Sequence, residues 1–204
     1  SSGEVLSSVS FPDFNPNNYK QYNIGTFKNR VISDAYEPGS TFKLISMAAI
    51  LESGLYDNND LIHCENGKYQ IIPTKYFQDH EPHGELSIAE IFIHSSNIGI
   101  IKAIESVGVS HLYDYARKFG FGIKSGIDLP GETAGILRPY KEWSRLSGPS
   151  IAIGQEISAN TLQLALAYAV AANGGYLINP KIIKNISGKN YKDNDFQANP
   201  IRRV

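Results

Sequence analysis

Ser40 and Lys43 stand three residues apart in a run that reads Tyr36-Glu37-Pro38-Gly39-Ser40-Thr41-Phe42-Lys43, and theirs is the only S-x-x-K in the chain. On a helix, residues at that spacing share a face, so the amine can reach the hydroxyl. A serine hydroxyl is a weak nucleophile until a base takes its proton, and a lysine amine can take it only when neutral, a form that burial favours. The chemistry this spacing could perform is covalent catalysis by an activated serine. The same two residues also fit an ordinary core helix in which Lys43 snorkels to water and Ser40 caps the first turn.

The element that must position them is a helix predicted over residues 40–53. Pro38 and Gly39 break what precedes it, Ser40 caps the helix or opens its first turn, and Gly54 supplies a left-handed stop. Phe42, Leu44, Ile45, Met47, Ala48, Ala49, Ile50 and Leu51 are apolar nearly all round, the pattern of a helix buried in a core. Only Lys43 puts a charge into that run.

A second polar cluster lies between two apolar helical stretches. Ile88-Ala89-Glu90-Ile91-Phe92-Ile93 runs into His94-Ser95-Ser96-Asn97, and Ile98 to Val107 follows before Gly108. Taken alone, this is a helix-helix junction with Ser and Asn as caps. Ser158-Ala159-Asn160 has the same S-x-N pattern, but it directly precedes the helical run Thr161 to Ala169, so its Asn or Ser is read as a cap. Lys124-Ser125-Gly126 lies in a Gly-punctuated loop, Phe119 to Glu132. His80 and His83 form a His-x-x-His pair, but Pro82 lies between them and no third ligand follows, so no metal site is expected.

The remaining chain frames these motifs. Gly3 to Phe11 suits a strand ended by Pro12, and Pro12 to Asn18 is turn chemistry. Residues 54–84 are polar and turn-rich and read as a surface excursion, with a short strand over Tyr69 to Pro73. Asn179-Pro180 opens a strand-like Lys181 to Ile186 ahead of a polar tail. With 204 residues, 42% hydrophobic content and 19 basic against 20 acidic residues, the chain has ample length for a core and nothing that suggests nucleic acid. The single cysteine, Cys64, excludes an internal disulfide. No apolar run approaches the roughly 20 residues of a membrane helix, so any membrane anchor is expected outside these residues.

Tyr36 to Lys43 resembles the active-site segment of the penicillin-binding proteins, whose S-x-x-K serine is acylated by peptidoglycan stem peptides and by β-lactams. Ser95-Ser96-Asn97, 55 positions after Ser40, resembles their S-x-N motif. Phe119 to Glu132 is similar to the family's F-G-F-G-x-x-T-G-I-D-L-P-G-E landmark. Gly154 to Leu164 resembles G-x-G/E-I-S-x-x-x-L-Q-L. Similarity therefore covers nearly the whole chain.

The resemblance implies an α+β fold of the β-lactamase/transpeptidase type, here mainly the helical lobe with the S-x-x-K helix and an incomplete sheet. Residues 1–204 are expected to form part of a transpeptidase domain, with the strand carrying the family's third motif, K-S/T-G, beyond Val204. That strand supplies an oxyanion donor whose loss costs roughly 2.7 to 4 kcal/mol of transition-state stabilisation, so these residues alone are expected to be nearly inert. The implied activity is that of a class B D,D-transpeptidase cross-linking stem peptides through an acyl-serine. Lys43 would act as base, Ser40 as nucleophile, Ser95 as proton relay and Asn97 as holder of the donor amide.

Ser95-Ser96-Asn97 points to the septal branch, since the elongation branch typically has S-x-D. No cofactor or metal is implied. Stem peptides, β-lactams and other cell-division membrane proteins are the expected partners, at the periplasmic face of the bacterial cytoplasmic membrane. A serine β-lactamase and a non-catalytic sensor or scaffold of the same fold are the alternatives. The first needs a deacylating glutamate loop, which no segment resembles. The second predicts degenerate motifs, whereas all four site residues are intact.

Overall fold

The computed structural model describes residues 2–183 and 200–204. In chain order its elements are α1 (Arg30–Ser33), α2 (Lys43–Glu52), β1 (Leu61–His63), β2 (Lys68–Ile72), β3 (Lys75–Gln78), β4 (Glu85–Ser87), α3 (Ile88–Ile93), α4 (Asn97–Val107), α5 (Val109–Lys118), α6 (Ser147–Ala152), α7 (Thr161–Ala172), β5 (Tyr176–Ile178) and β6 (Pro200–Arg203). They fall into two units. One comprises residues 1–36, 119–135 and 159–204, the other residues 37–118 and 136–158. The α+β expectation holds, with the strands of the described residues in three antiparallel pairs, β1 with β4, β2 with β3 and β5 with β6.

The second unit is built around α2, which packs against α3, α4 and α5, while α6 packs against α4. Phe42, Ile45, Ala49 and Ile50 of the α2 segment are fully buried, as are Ile98, Ile100, Ile101 and Ala103 of α4. Burying each of the isoleucine and phenylalanine side chains contributes about 1.5–3 kcal/mol, which is why so apolar a helix sits in a core. Helices α3 and α4 approach closely because Gly99 has no side chain, since a Cβ there would lie 2.5 Å from Ile91. Gly54 ends the α2 segment at φ +70°, in the left-handed conformation expected of it.

Residues 54–84 are more than a surface excursion. They contribute β1, β2 and β3, and Ile62, Cys64, Ile71 and Phe77 point into the core. Strand β2 matches the strand expected over Tyr69 to Pro73. Alternation here is short and interrupted by turns, so the apolar positions read as sparse although they all fall on one side of their hairpins.

In the first unit, Ile32, Ile127 and Leu162 form a buried cluster covered by Val5, Val31, Leu129 and Leu166. Helix α7 opens at Asn160, whose side chain accepts from the Gln163 N–H while Gln163 accepts from the Asn160 N–H. Gln163 Nε2 also donates to the carbonyls of Gly120, Ile123 and Ala134. The loop from Phe119 to Gly135 is thus pinned by one buried amide.

One strand expectation fails, and the described part of a second forms a single bridge. Among the described residues, Glu4 alone of the stretch from Gly3 to Phe11 forms a bridge, parallel to Lys181, and Leu6 and Val9 are 92% and 79% exposed. Strand propensity does not make a strand without a ladder partner. Lys181 takes part in that bridge, Ile182 and Ile183 are outside any strand, and the rest of the expected 181–186 strand lies outside the described residues.

Candidate active site

Ser40 lies in a 3₁₀ turn, Gly39–Phe42, that runs directly into α2. The helix expected to start at residue 40 therefore begins with a tighter first turn, and the Ser40 hydroxyl does not cap it. The turn is held from α6. Gly39 N–H donates to Gly154 O at 2.9 Å, and Ser46 Oγ, one turn into α2, donates to Ala152 O at 2.7 Å. Gly154 sits at φ +80°, and a Cβ on it would come within 2.1 Å of Gly39 O, so only glycine permits this approach. Ser40 itself is exposed.

Lys43 is 2% exposed, yet it carries the one amine in the α2 core face. Its Nζ donates to the carbonyl of Ser95 and, at 3.0 Å, to Ser95 Oγ. Burial pulls its pKa down from 10.5 to about 8, against the opposing pull of the Asp79 carboxylate. A pKa near 8 leaves a usable fraction of neutral amine at neutral pH. The hydrogen bond expected between Ser40 and Lys43 is absent among the described residues. The amine is committed to Ser95 instead, and Ser40, in the 3₁₀ turn, lies one turn before Lys43, the first residue of α2.

Ser95 follows α3 at φ +54°, a conformation uncommon for a residue with a side chain. Ser96 is the N-cap of α4, accepting from Gly99 N–H at 2.9 Å, and Asn97 is the first residue of that helix. Asn97 Nδ2 donates to Gln78 O at the end of β3 at 2.6 Å. The structure thus brings Lys43 and Ser95 into direct contact and sets Asn97 two residues further on.

Asp79, next to β3, went unnoticed in the sequence. Its carboxylate accepts from Ser96 Oγ at 2.6 Å, from Asn97 N–H, and from Ile98 N–H at 3.0 Å. The available signal was the alternating Tyr76-Phe77-Gln78, which marks a strand ending at a carboxylate. Nothing in the spacing ties that carboxylate to a motif some twenty residues later.

The other motif matches have structural roles. Ser158 forms an isolated bridge with Ile136, and Asn160 is the cap of α7. Ser125 of Lys124-Ser125-Gly126 donates its N–H to the Glu132 carboxylate at 2.7 Å and belongs to the first unit, whereas Ser40, Lys43, Ser95 and Asn97 all belong to the second. Among the described residues no group of His, Cys, Asp and Glu side chains could hold a metal, so His80 and His83 have no such companions.

Residues 1–203 match the family model of the penicillin-binding protein transpeptidase domain. The chain belongs to that family. It is 33% identical to the probable peptidoglycan D,D-transpeptidase PbpC of Pseudomonas aeruginosa over 184 residues, 90% of this chain and 32% of that protein. It is 34% identical to the stage V sporulation protein D of Bacillus subtilis, over 89% of this chain and 28% of the relative. The chain thus spans about a third of the length of these curated relatives. Among solved structures, penicillin-binding protein 3 of Mycobacterium tuberculosis complexed with ampicillin superposes with a TM-score of 0.78 at 31% identity, covering 89% of this chain and 41% of that one. The transpeptidase domain of Burkholderia pseudomallei penicillin-binding protein 3 gives 0.78 at 27% identity, over 96% and 54%. The β-lactamase/transpeptidase fold expected from the motifs is therefore the fold of this family member.

Proposed function

We propose that the protein carrying these residues is a class B peptidoglycan D,D-transpeptidase that works through an acyl-serine. The observation that carries this reading is the buried Lys43 amine, with its pKa lowered to about 8, in contact with Ser95 Oγ and one turn from Ser40. In its neutral form Lys43 takes the Ser40 hydroxyl proton. Ser40 Oγ bonds to the carbonyl carbon of the penultimate D-alanine of a stem peptide. The C–N bond to the terminal D-alanine then breaks, and the proton passes from Lys43 through Ser95 Oγ to the departing amine. The amine of a second stem peptide attacks the acyl-serine, forms the cross-link and releases Ser40.

Asn97 has one half of its amide engaged by Gln78 O, and its Oδ1 takes no hydrogen bond from the described residues, which suits it to accept the donor's amide N–H. Ser95-Ser96-Asn97 supports the septal branch, with stem peptides as substrates, β-lactams as inhibitors, cell-division membrane proteins as partners and the outer face of the cytoplasmic membrane as the place of work.

A fluorescent penicillin tests the proposal. Stoichiometric, long-lived labelling of the protein that carries these residues, abolished in Ser40→Ala, is the expected result. Labelling that survives Ser40→Ala removes Ser40 as nucleophile. Rapid turnover of the penicillin, with hydrolysed product accumulating, points to the β-lactamase alternative instead.

A further inference from the structure

The first three backbone N–H groups of an α-helix have no partner within the helix and are commonly left to a local cap and to water. In α4 all three are bound by protein. Ser96 Oγ takes the third, from Gly99, as an ordinary N-cap does. The first two, from Asn97 and Ile98, converge on a single oxygen of Asp79, a residue from another element. The second carboxylate oxygen receives the hydroxyl hydrogen of Ser96. Three successive residues of one turn are thus bonded by one carboxylate. The neighbouring Gln78 O takes the Asn97 side chain, so the end of β3 grips this turn through both main chain and side chain.

Ser95, immediately before the gripped residues, is the one that meets Lys43, through both its carbonyl and its hydroxyl. It does so at φ +54°, and an uncommon backbone conformation persists only where its surroundings over-determine it. The geometry points to Asp79 as a positioning residue of the active site: by binding Ser96, Asn97 and Ile98 together, it holds the Ser95–Asn97 turn where Lys43 can use it. This rests on the acyl-transfer reading above. Asp79 touches none of the reacting atoms and acts through the turn. Its negative charge also faces the positive end of α4 and favours the charged form of Lys43. His80, Glu81, His83 and His94 line the same pocket as Asp79 and Ser96, with His83 and His94 ring to ring at 4.8 Å.

The test measures the acylation rate against pH, with a fluorescent penicillin, in the protein that carries these residues. Asp79→Asn keeps an oxygen for the Asn97 and Ile98 N–H groups but removes the charge. It is expected to fold normally and to move the pH midpoint of acylation downward, because Lys43 loses the carboxylate that favours its ammonium form. Asp79→Ala removes the grip as well, and its plateau rate is expected to fall between about tenfold and 100-fold, the scale of a displacement near 1 Å. A merely structural role would lower the melting temperature and leave the midpoint in place. A folded Asp79→Ala protein with the wild-type rate and midpoint overturns the inference. If Asp79→Ala fails to fold, Asp79→Ser, too short to bind the Asn97 and Ile98 N–H groups together, takes its place, and a wild-type plateau rate in it overturns the inference equally. The double variant His83→Gln with His94→Gln is expected to leave the midpoint unchanged, and a shift as large as that of Asp79→Asn would assign the effect to the histidines. Ser40→Ala separates the two levels: labelling that survives it sinks the acyl-transfer reading, whereas silent Asp79 variants beside a dead Ser40→Ala sink only the role of Asp79.

Discussion

Ser95-Ser96-Asn97 and Ser158-Ala159-Asn160 have the same three-letter pattern and each introduces a helix, but the two helices start one residue out of step. Before α4 the N-cap is the middle residue, Ser96. Before α7 it is the last one, Asn160. In the first triad the cap consumes a residue that the pattern leaves unspecified, and the side chains of Ser95 and Asn97 remain available to Lys43 and to a ligand. In the second, the Asn is fully buried and spent on Gln163, Thr133 and Ile32, while Ser158 is drawn into a bridge with Ile136. A one-residue change in where a helix begins thus decides which members of a motif can do chemistry.

Several substitutions could break or sharpen that contrast. The largest effect is expected from Lys43→Met, which should lower penicillin acylation by about 10²- to 10⁴-fold, the usual contribution of a positioned base. The same change should raise stability at neutral pH. Because the folded-state pKa of Lys43 is depressed from 10.5 to about 8, the unfolded chain binds more protons between those values, and wild-type stability increases as pH rises through that window. Below pH 8 the penalty is full, about 3 kcal/mol at most. Urea unfolding of both proteins should show Lys43→Met ahead at pH 7 and the gap closing toward pH 10.5. A gap independent of pH would mean that the amine is not held in the depressed state.

Asn160→Ala comes next, with an expected loss of about 2–4 kcal/mol, since it removes a cap and takes the Asn160 donor from the Thr133 carbonyl, while Ile32 O keeps the Thr133 N–H. Denaturant midpoints measure it, and the acylation rate of the folded fraction should not change. If Ser95 relays the proton as proposed, Ser95→Ala should do the reverse, lowering acylation by roughly 10- to 100-fold with little change in unfolding midpoint, because a hydroxyl on an exposed turn adds little to packing. The smallest effect belongs to Ser158→Ala. Ser158 Oγ is buried without a hydrogen-bond partner among the described residues, so its removal should be neutral or stabilising by about 1 kcal/mol. If Ser158→Ala abolished labelling while Ser95→Ala did not, the choice between the two triads would have to be exchanged.

Much of this was legible before any coordinates. The apolar run after Ser40 specifies α2, the run from Ile88 to Ile93 specifies α3, and Gly108 ends α4, because helix periodicity and stops are local signals. The pairing of Ser40 with Lys43 on one turn follows from the same periodicity. Strand expectations fared worse over Gly3 to Phe11, where partners far away in the chain decide whether a ladder exists.

The sequence by itself determined that a serine and a lysine share the first turns of a buried helix and that a polar Ser-Ser-Asn junction separates two others, since both follow from spacing and hydrophobic pattern. Tertiary structure alone decided that the Lys43 amine turns to Ser95 rather than to Ser40, and that Asp79 gathers the N–H groups opening α4. It also decided that Gly154 lies under the turn that presents Ser40. Each of these joins residues remote in the chain through one hydrogen bond or one missing Cβ, and their spacing along the chain leaves no periodic trace.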